Sequence, residues 1–152
     1  DHLVAMVAVG LWGALLGAPA LWLLPVIFPV VMAMAALTGM AGIFLPGENV
    51  GIALSILIIG GAIALAKRTP HWIAGIIVAI FAVIHGHAHG MELPDAANPF
   101  AFAAGFVLTT GLLHLCGMGL GLLLLAPNGL TVVRAIGGVI AAIGLYFLSV
   151  TV

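Results

Sequence analysis

The chain has 152 residues, of which 65% are hydrophobic and only 5% are charged, and its mean hydropathy is +1.44. Soluble domains average ~45–50% apolar and ~25% charged residues, so this composition excludes a water-soluble fold. The net charge of −1 argues against a nucleic-acid partner, and three basic residues are too few for a surface that binds anionic lipid.

Six apolar runs follow one another along the chain. Each run is continuous rather than alternating, which predicts membrane-spanning helices and not the strands of a barrel. Turn-forming pairs such as Asn98-Pro99 separate the runs. The predicted helices cover residues 1–16, 21–45, 51–66, 70–91, 99–125 and 130–152. We therefore predict an all-α fold, a polytopic transmembrane helix bundle of about six spans in a single domain.

The first run is short for a membrane span. Its 16 residues extend over about 24 Å as a helix, which is less than the ~30 Å of the hydrocarbon core. We therefore expect that the first helix is truncated in this sequence and begins upstream of Asp1.

Two prolines, Pro25 and Pro29, interrupt the second run. A proline inside a helix has no N–H to donate, so it leaves a backbone carbonyl free and favours a kink. This pattern is common in transporters but does not identify one.

The charges predict an orientation in the membrane. In a six-span chain all three basic residues fall on one side: Lys67, Arg68 and Arg134. The other side receives both termini and three acids: Glu48, Glu92 and Asp95. By the positive-inside rule the basic side is cytoplasmic, and the N-terminus and Glu92 are external.

The fourth run ends in a cluster of ionisable residues, His85-Gly86-His87-Ala88-His89-Gly90-Met91-Glu92. At ~100° per residue, His85, His89 and Glu92 share one face of a helix, whereas His87 points away. Two imidazoles and a carboxylate suit Ni²⁺, Co²⁺ or Zn²⁺. Because ionisable groups within a span are costly, we predict metal or proton handling here. His87 is either an accessory ligand or a residue at the mouth of the path.

Asp1 and His2 form a second polar site, at the start of the first run. In the predicted orientation they lie at a depth similar to that of the histidines of the fourth run. One helix can therefore supply ligands beside those of the other. The alternative is that Asp1 is only a frayed polar end.

The fifth run contains a buried candidate, His114, four residues after Thr110. A lone histidine in an apolar helix can simply hydrogen-bond to a hydroxyl such as that of Thr110. Alternatively, His114 is the deepest step of a ladder that begins at Glu92 and passes through His89 and His85. Cys116 is interpreted as a packing residue.

These segments together resemble the HupE/UreJ family. Asp1-His2 and the residues that follow, up to Trp12, are similar to the end of that family's first-helix signature, and His85-Gly86, Ala88-His89-Gly90 and Glu92 match its second. The segment 110–117 resembles the pattern of the fifth helix. The sequence departs from the family in lacking the upstream histidine of the first signature and in having Ile84 where an aromatic residue is expected.

The resemblance implies a secondary permease for Ni²⁺ or Co²⁺ in a bacterial inner membrane, and not an enzyme. In this family such transport is often associated with the maturation of nickel hydrogenase or urease. The resemblance assigns metal handling to Asp1, His2, His85, His89 and Glu92. It implies no prosthetic group, since the metal is the transported ion. The ion would be captured at Glu92 and would move inward past His85 and His114.

Two other interpretations remain open from the sequence. In one, Asp1, His2, His85 and His89 hold a bound Zn²⁺ that activates water in an intramembrane hydrolase. In the other, the chain is a small accessory or structural subunit of a larger membrane complex. A homo-oligomer is compatible with each interpretation, because every helix is apolar enough to face lipid or a neighbour.

Overall fold

The computed structural model describes residues 1–93 and 98–151, and these residues form six α-helices and no strand. The helices are α1 (His2–Leu16), α2 (Ala20–Met40), α3 (Glu48–Ala64), α4 (His71–Met91), α5 (Pro99–Leu120) and α6 (Gly129–Thr151). A 3₁₀ segment, Gly121–Leu125, extends α5. The predicted all-α fold is confirmed. Asp95, one of the three acids expected on the external side, lies outside the described residues.

In the part of the chain that the structure describes, four helical segments are long and apolar enough to cross a membrane: Ala20–Met40, His71–Met91, Pro99–Leu125 and Gly129–Thr151. The other two helices, α1 with 15 residues and α3 with 17, are equally apolar but shorter. Large apolar side chains such as Trp22, Trp72 and Leu108 are exposed on the outside of the bundle. A surface of this kind is stable in lipid, so the chain is a membrane protein.

The second helix ends earlier than the sequence predicted, at Met40 rather than near residue 45. Gly42 has φ +70°, and its N–H donates to the Gly39 carbonyl while the Ile43 N–H donates to the Thr38 carbonyl. This pair of bonds is a Schellman motif, which a glycine with positive φ stabilises. The chain therefore leaves α2 at Gly42, and the Ile43 carbonyl contacts His87 of α4 before α3 begins at Glu48.

The core consists of three closely packed helix pairs, α1 with α5, α2 with α4 and α3 with α6. In the α2–α4 pair, a Cβ added at Gly86 would clash with the Met32 carbonyl, and one added at Gly90 would clash with the Ala36 carbonyl. The two backbones thus touch directly, as small residues permit in membrane helices. This contact fixes how α4 is rotated about its axis.

The α1–α5 contact yields a prediction about stability. Gly117 lies against the Val7 carbonyl, whereas Gly111 on the same helix has open space around its Cα. We expect Gly117→Ala to destabilise the protein by about 1–3 kcal/mol through overpacking. Gly111→Ala, the matched control, should be neutral or stabilising by up to ~1 kcal/mol, because alanine is the better helix former.

Thermal unfolding of the purified protein in detergent measures both effects. Equal melting temperatures for Gly117→Ala and Gly111→Ala would show that α1 and α5 do not touch at Gly117.

Candidate metal site

Three histidines converge where α1 begins and α4 ends: His2, His85 and His89, called the histidine cluster below. The ring centroid of His2 lies 5.0 Å from that of His85 and 4.8 Å from that of His89. His85 and His89 share a face of α4 because they are four residues apart, and this face is turned towards α1. His85 is fully buried, and it lies about 6 Å deeper along α4 than His89 does.

Hydrogen bonds at Nδ1 orient two of these rings. His2 Nδ1 lies 2.8 Å from Asp1 Oδ1, and His85 Nδ1 lies 2.9 Å from the Phe81 carbonyl oxygen. A carboxylate and a carbonyl can only accept, so each neutral ring donates from Nδ1 and leaves Nε2 with a free lone pair. Such an outer partner on the second ring nitrogen is what metal-binding histidines have.

The Nε2 atoms of His2 and His85 are buried and have no hydrogen-bond partner among the described residues. A buried polar atom without a partner costs about 1–3 kcal/mol, so these positions are expensive unless something else binds there. A cavity of about 70 Å³ lies beside His2 and His89, which leaves room for a few water molecules or a cation. The unpaired nitrogens therefore suit a ligand that accepts lone pairs.

Carboxylates lie at the rim of the cluster. His89 Nδ1 is 3.3 Å from Glu92 Oε2, and the Glu92 side chain is 61% exposed. Asp1 is also exposed, although its carboxylate accepts a hydrogen bond from the His2 ring. The two acids give the opening of the cluster a negative charge, which attracts cations.

The ligands are not assembled around one point in this conformation. Within residues 1–93 and 98–151, no three His, Cys, Asp or Glu side chains are placed so that they could hold one metal ion together. Imidazole nitrogens bind Zn²⁺ at ~2.0–2.1 Å with their lone pairs directed at the ion, and the rings of the cluster are close enough for this but do not direct three nitrogens at one position. The cluster could bind an ion only after its side chains reorient.

His114 lies deeper than the cluster and is separated from it by Phe28. The Phe28 ring centroid is 5.3 Å from that of His85 and 5.5 Å from that of His114. His114 is 1% exposed, and neither of its ring nitrogens has a hydrogen-bond partner among the described residues.

The hydrogen bond between His114 and the Thr110 hydroxyl that the sequence suggested is not formed. The Thr110 hydroxyl donates to Met32 Sδ at 3.8 Å and not to His114. Pro29 has no N–H, so the Pro25 carbonyl lacks the donor that it would have in a regular helix. This carbonyl lies beside the His114 ring but outside hydrogen-bond geometry. His114 is therefore a buried imidazole whose nearest backbone acceptor among the described residues is the Pro25 carbonyl.

His87 does not join the histidine cluster. Its Nδ1 contacts the Glu48 carboxylate, and its Nε2 contacts the Ile43 carbonyl oxygen. Both ring nitrogens thus face acceptors, so no lone pair is free for a metal. Of the two roles considered from the sequence, these contacts leave no nitrogen for an accessory ligand, and a role at the mouth of the path stays a prediction. His87 instead joins α4 to the start of α3 and to the connection that precedes it.

The role of Glu48 as the partner of His87 was not predicted from the sequence. Glu48 directly follows Gly47 and opens α3, where a carboxylate is stabilised by the helix dipole. The sequence did contain a signal for such a partner. His87 faces away from His85 and His89, and an ionisable side chain within the membrane needs a polar partner. Only the early end of α2 brings the Ile43 carbonyl to the same ring.

Comparison with known proteins supports the assignment that the signatures suggested. The model of the family described as HupE / UreJ protein matches residues 1–147. The chain belongs to the HupE/UreJ family. It is 42% identical over 144 residues to "Protein HupE" of Rhizobium leguminosarum bv. viciae, and the match covers 95% of this chain and 75% of that protein. No solved structure matches the chain. The predicted family is thus confirmed.

The contact between Glu48 and His87 predicts a coupling of stabilities. Glu48→Ala should destabilise the protein by about 1–3 kcal/mol, because it leaves the buried His87 without its acceptor. The double variant Glu48→Ala/His87→Ala should lose clearly less than the sum of the two single variants, since the two side chains share one interaction. Thermal unfolding in detergent measures all three.

The matched control is Glu92→Ala, because the exposed pair of Glu92 with His89 should contribute at most ~1 kcal/mol. Additive losses for Glu48→Ala and His87→Ala would show that the two residues act separately.

Proposed function

We propose that this protein is a secondary permease that moves Ni²⁺ or Co²⁺ across a bacterial inner membrane and supplies the metal for hydrogenase or urease maturation. Membership of the HupE/UreJ family supports nickel or cobalt as the metal and an accessory role for hydrogenase or urease as the setting. The observation that carries the proposal is the pair of buried Nε2 atoms on His2 and His85 that have no described partner. Borderline cations such as Ni²⁺ and Co²⁺ favour imidazole ligands of this kind.

The proposed path begins at the exposed Glu92, where a hydrated cation is attracted by the rim carboxylates. The ion then exchanges water for imidazole nitrogen as the rings of His89 and His2 turn towards it. His85 provides the next nitrogen, about one helical turn further in. His114 lies beyond Phe28 and provides the deepest one.

The orientation is part of the same proposal. Capture occurs on the external side, to which the N-terminus and Glu92 belong, and release occurs on the side of Lys67, Arg68 and Arg134. Glu92 and the histidine cluster lie at or just inside the capture side, while both basic residues of the α3–α4 connection, Lys67 and Arg68, lie at the release side. A cation is thus drawn in at one end only.

The dimensions of the site favour transport over hydrolysis. The cavity beside His2 and His89 measures about 70 Å³, whereas pockets for organic ligands usually occupy ~300–1,000 Å³. A few waters or one partly hydrated ion fit in that space, but a peptide or another organic substrate does not. The proposal is therefore a permease and not a Zn²⁺ hydrolase.

The first test is uptake of ⁶³Ni²⁺ and ⁵⁷Co²⁺ by cells that produce the full-length protein. We expect His85→Ala, His89→Ala and Glu92→Ala to lower uptake by at least about 10–100-fold at matched membrane abundance, because loss of even an outer partner of a metal ligand costs that much. Cys116→Ser is the control, since this exposed thiol lies away from the cluster and its loss should leave uptake unchanged.

Wild-type cells that take up no more metal than empty-vector cells would contradict transport. In that case a stoichiometric Zn²⁺ in the purified protein would favour the hydrolase, and constant co-purification with a large partner would favour the accessory subunit.

His114 allows binding to be separated from passage. His114→Phe keeps an aromatic ring against Phe28 but removes both nitrogens. We expect this variant to bind Ni²⁺ at the outer cluster with unchanged affinity, as measured on purified protein, while the maximal uptake rate falls several-fold. His114→Asn, which restores a polar side chain, should recover part of the rate. Full transport by His114→Phe would show that the ring only fills space.

A further inference from the structure

A second cavity lies at the opposite end of the bundle from the histidine cluster. It measures about 600 Å³ and is bounded by the end of α1, the α3–α4 connection and the beginnings of α4 and α6. Its lining combines basic, polar and apolar side chains: Lys67, Arg68, Thr69 and His71 on the polar side, and Leu15, Leu16 and Leu130 on the apolar side. We call it the basic cavity.

The charged side chains that line the basic cavity are all basic. It contains two of the three Lys and Arg residues of the chain, and His71 adds a ring N–H donor. The acids of the described residues lie at the other ends of their helices: Asp1 precedes α1, Glu48 opens α3 and Glu92 follows α4. No described acid therefore neutralises Lys67 and Arg68 within the cavity, and a cation would be repelled there.

The backbone adds donors to the same cavity. The long helix α4 begins at His71, and Pro70 before it offers no side-chain cap. The N–H groups of the first turn of α4 consequently have no acceptor within the helix, and the helix dipole makes this end positive. Backbone donors and two cationic side chains thus converge on one space that suits a phosphate group.

The apolar side of the basic cavity decides which kind of phosphate fits. Leu15, Leu16 and Leu130 would contribute nothing to binding a free, fully hydrated anion. A phospholipid has a charged headgroup joined to hydrocarbon chains, and it could place both against this lining at once. Basic pockets between transmembrane helices near the cytoplasmic surface bind lipid headgroups in this way.

We propose that the basic cavity binds the headgroup phosphate of an anionic phospholipid, held by Lys67, Arg68 and the start of α4, with the first acyl carbons against the leucines. Judged by their number alone, the three basic residues of the chain are too few for a surface that binds anionic lipid. The fold changes that expectation because it places the end of α1 and the beginnings of α4 and α6 around two consecutive basic residues, Lys67 and Arg68. This proposal does not depend on metal transport.

Arg134 provides a matched control for the loss of charge. It lies on the same side of the protein, but its Nε donates to the Ala64 carbonyl at 2.9 Å and it does not line the basic cavity. Removing its charge lowers the positive charge of that side without changing the cavity lining.

The test is native mass spectrometry of the purified full chain with added phosphatidylglycerol or phosphatidylcholine. We expect one tightly held phosphatidylglycerol per chain and a clear preference over phosphatidylcholine. Lys67→Gln/Arg68→Gln should weaken phosphatidylglycerol binding by about 30-fold, from ~1 kcal/mol for each basic residue near a phosphate. The single variant Lys67→Gln should show a smaller loss, and Arg134→Gln should bind as the wild type does.

Free phosphate distinguishes the two possible sources of the anion. We expect excess inorganic phosphate to leave the bound phosphatidylglycerol in place. Displacement of the lipid by inorganic phosphate, equal binding of both lipids, or an equal loss in Arg134→Gln would overturn the proposal.

Discussion

The direct backbone contact between α4 and α2 is the constraint on which the site depends. Gly86 and Gly90 lie against the carbonyls of Met32 and Ala36, so α4 cannot rotate about its axis without losing this contact. Because residues along a helix turn by ~100° each, the glycines fix the directions of the histidines between and beside them. His85 and His89 are thereby turned towards α1, and His87 is turned towards α3.

One short stretch of α4 therefore presents three faces with different tasks. The glycine face packs on α2, the His85 and His89 face meets His2 on α1, and His87 contacts the Glu48 carboxylate and the Ile43 carbonyl. Within residues 1–93 and 98–151, the histidine cluster keeps nitrogens that have no hydrogen-bond partner, whereas both nitrogens of His87 face acceptors. Histidines two residues apart thus differ in chemistry because their neighbours differ, and not because of any property of the residue itself.

The two ends of the bundle are chemically opposite. Glu92 and Asp1 form an acidic rim above the histidine cluster, and Lys67 and Arg68 line the basic cavity at the other end. Only a fold that alternates the direction of its helices can separate charges in this way from residues scattered along the chain. The separation attracts cations to one end and phosphate groups to the other, which is why two different ligand classes are proposed.

The sequence by itself determined the membrane-embedded all-α fold, the family and the face shared by His85 and His89, because hydropathy and helical periodicity are local properties. It also indicated that His2 could lie beside these residues, since the apolar runs predicted how the helices alternate. Only the tertiary structure decided the end of α2 at Gly42, the pairing of His87 with Glu48 and the position of Phe28 between His85 and His114. These features depend on the distances and rotations of helices that are far apart in the chain, and packing against backbone carbonyls sets those quantities.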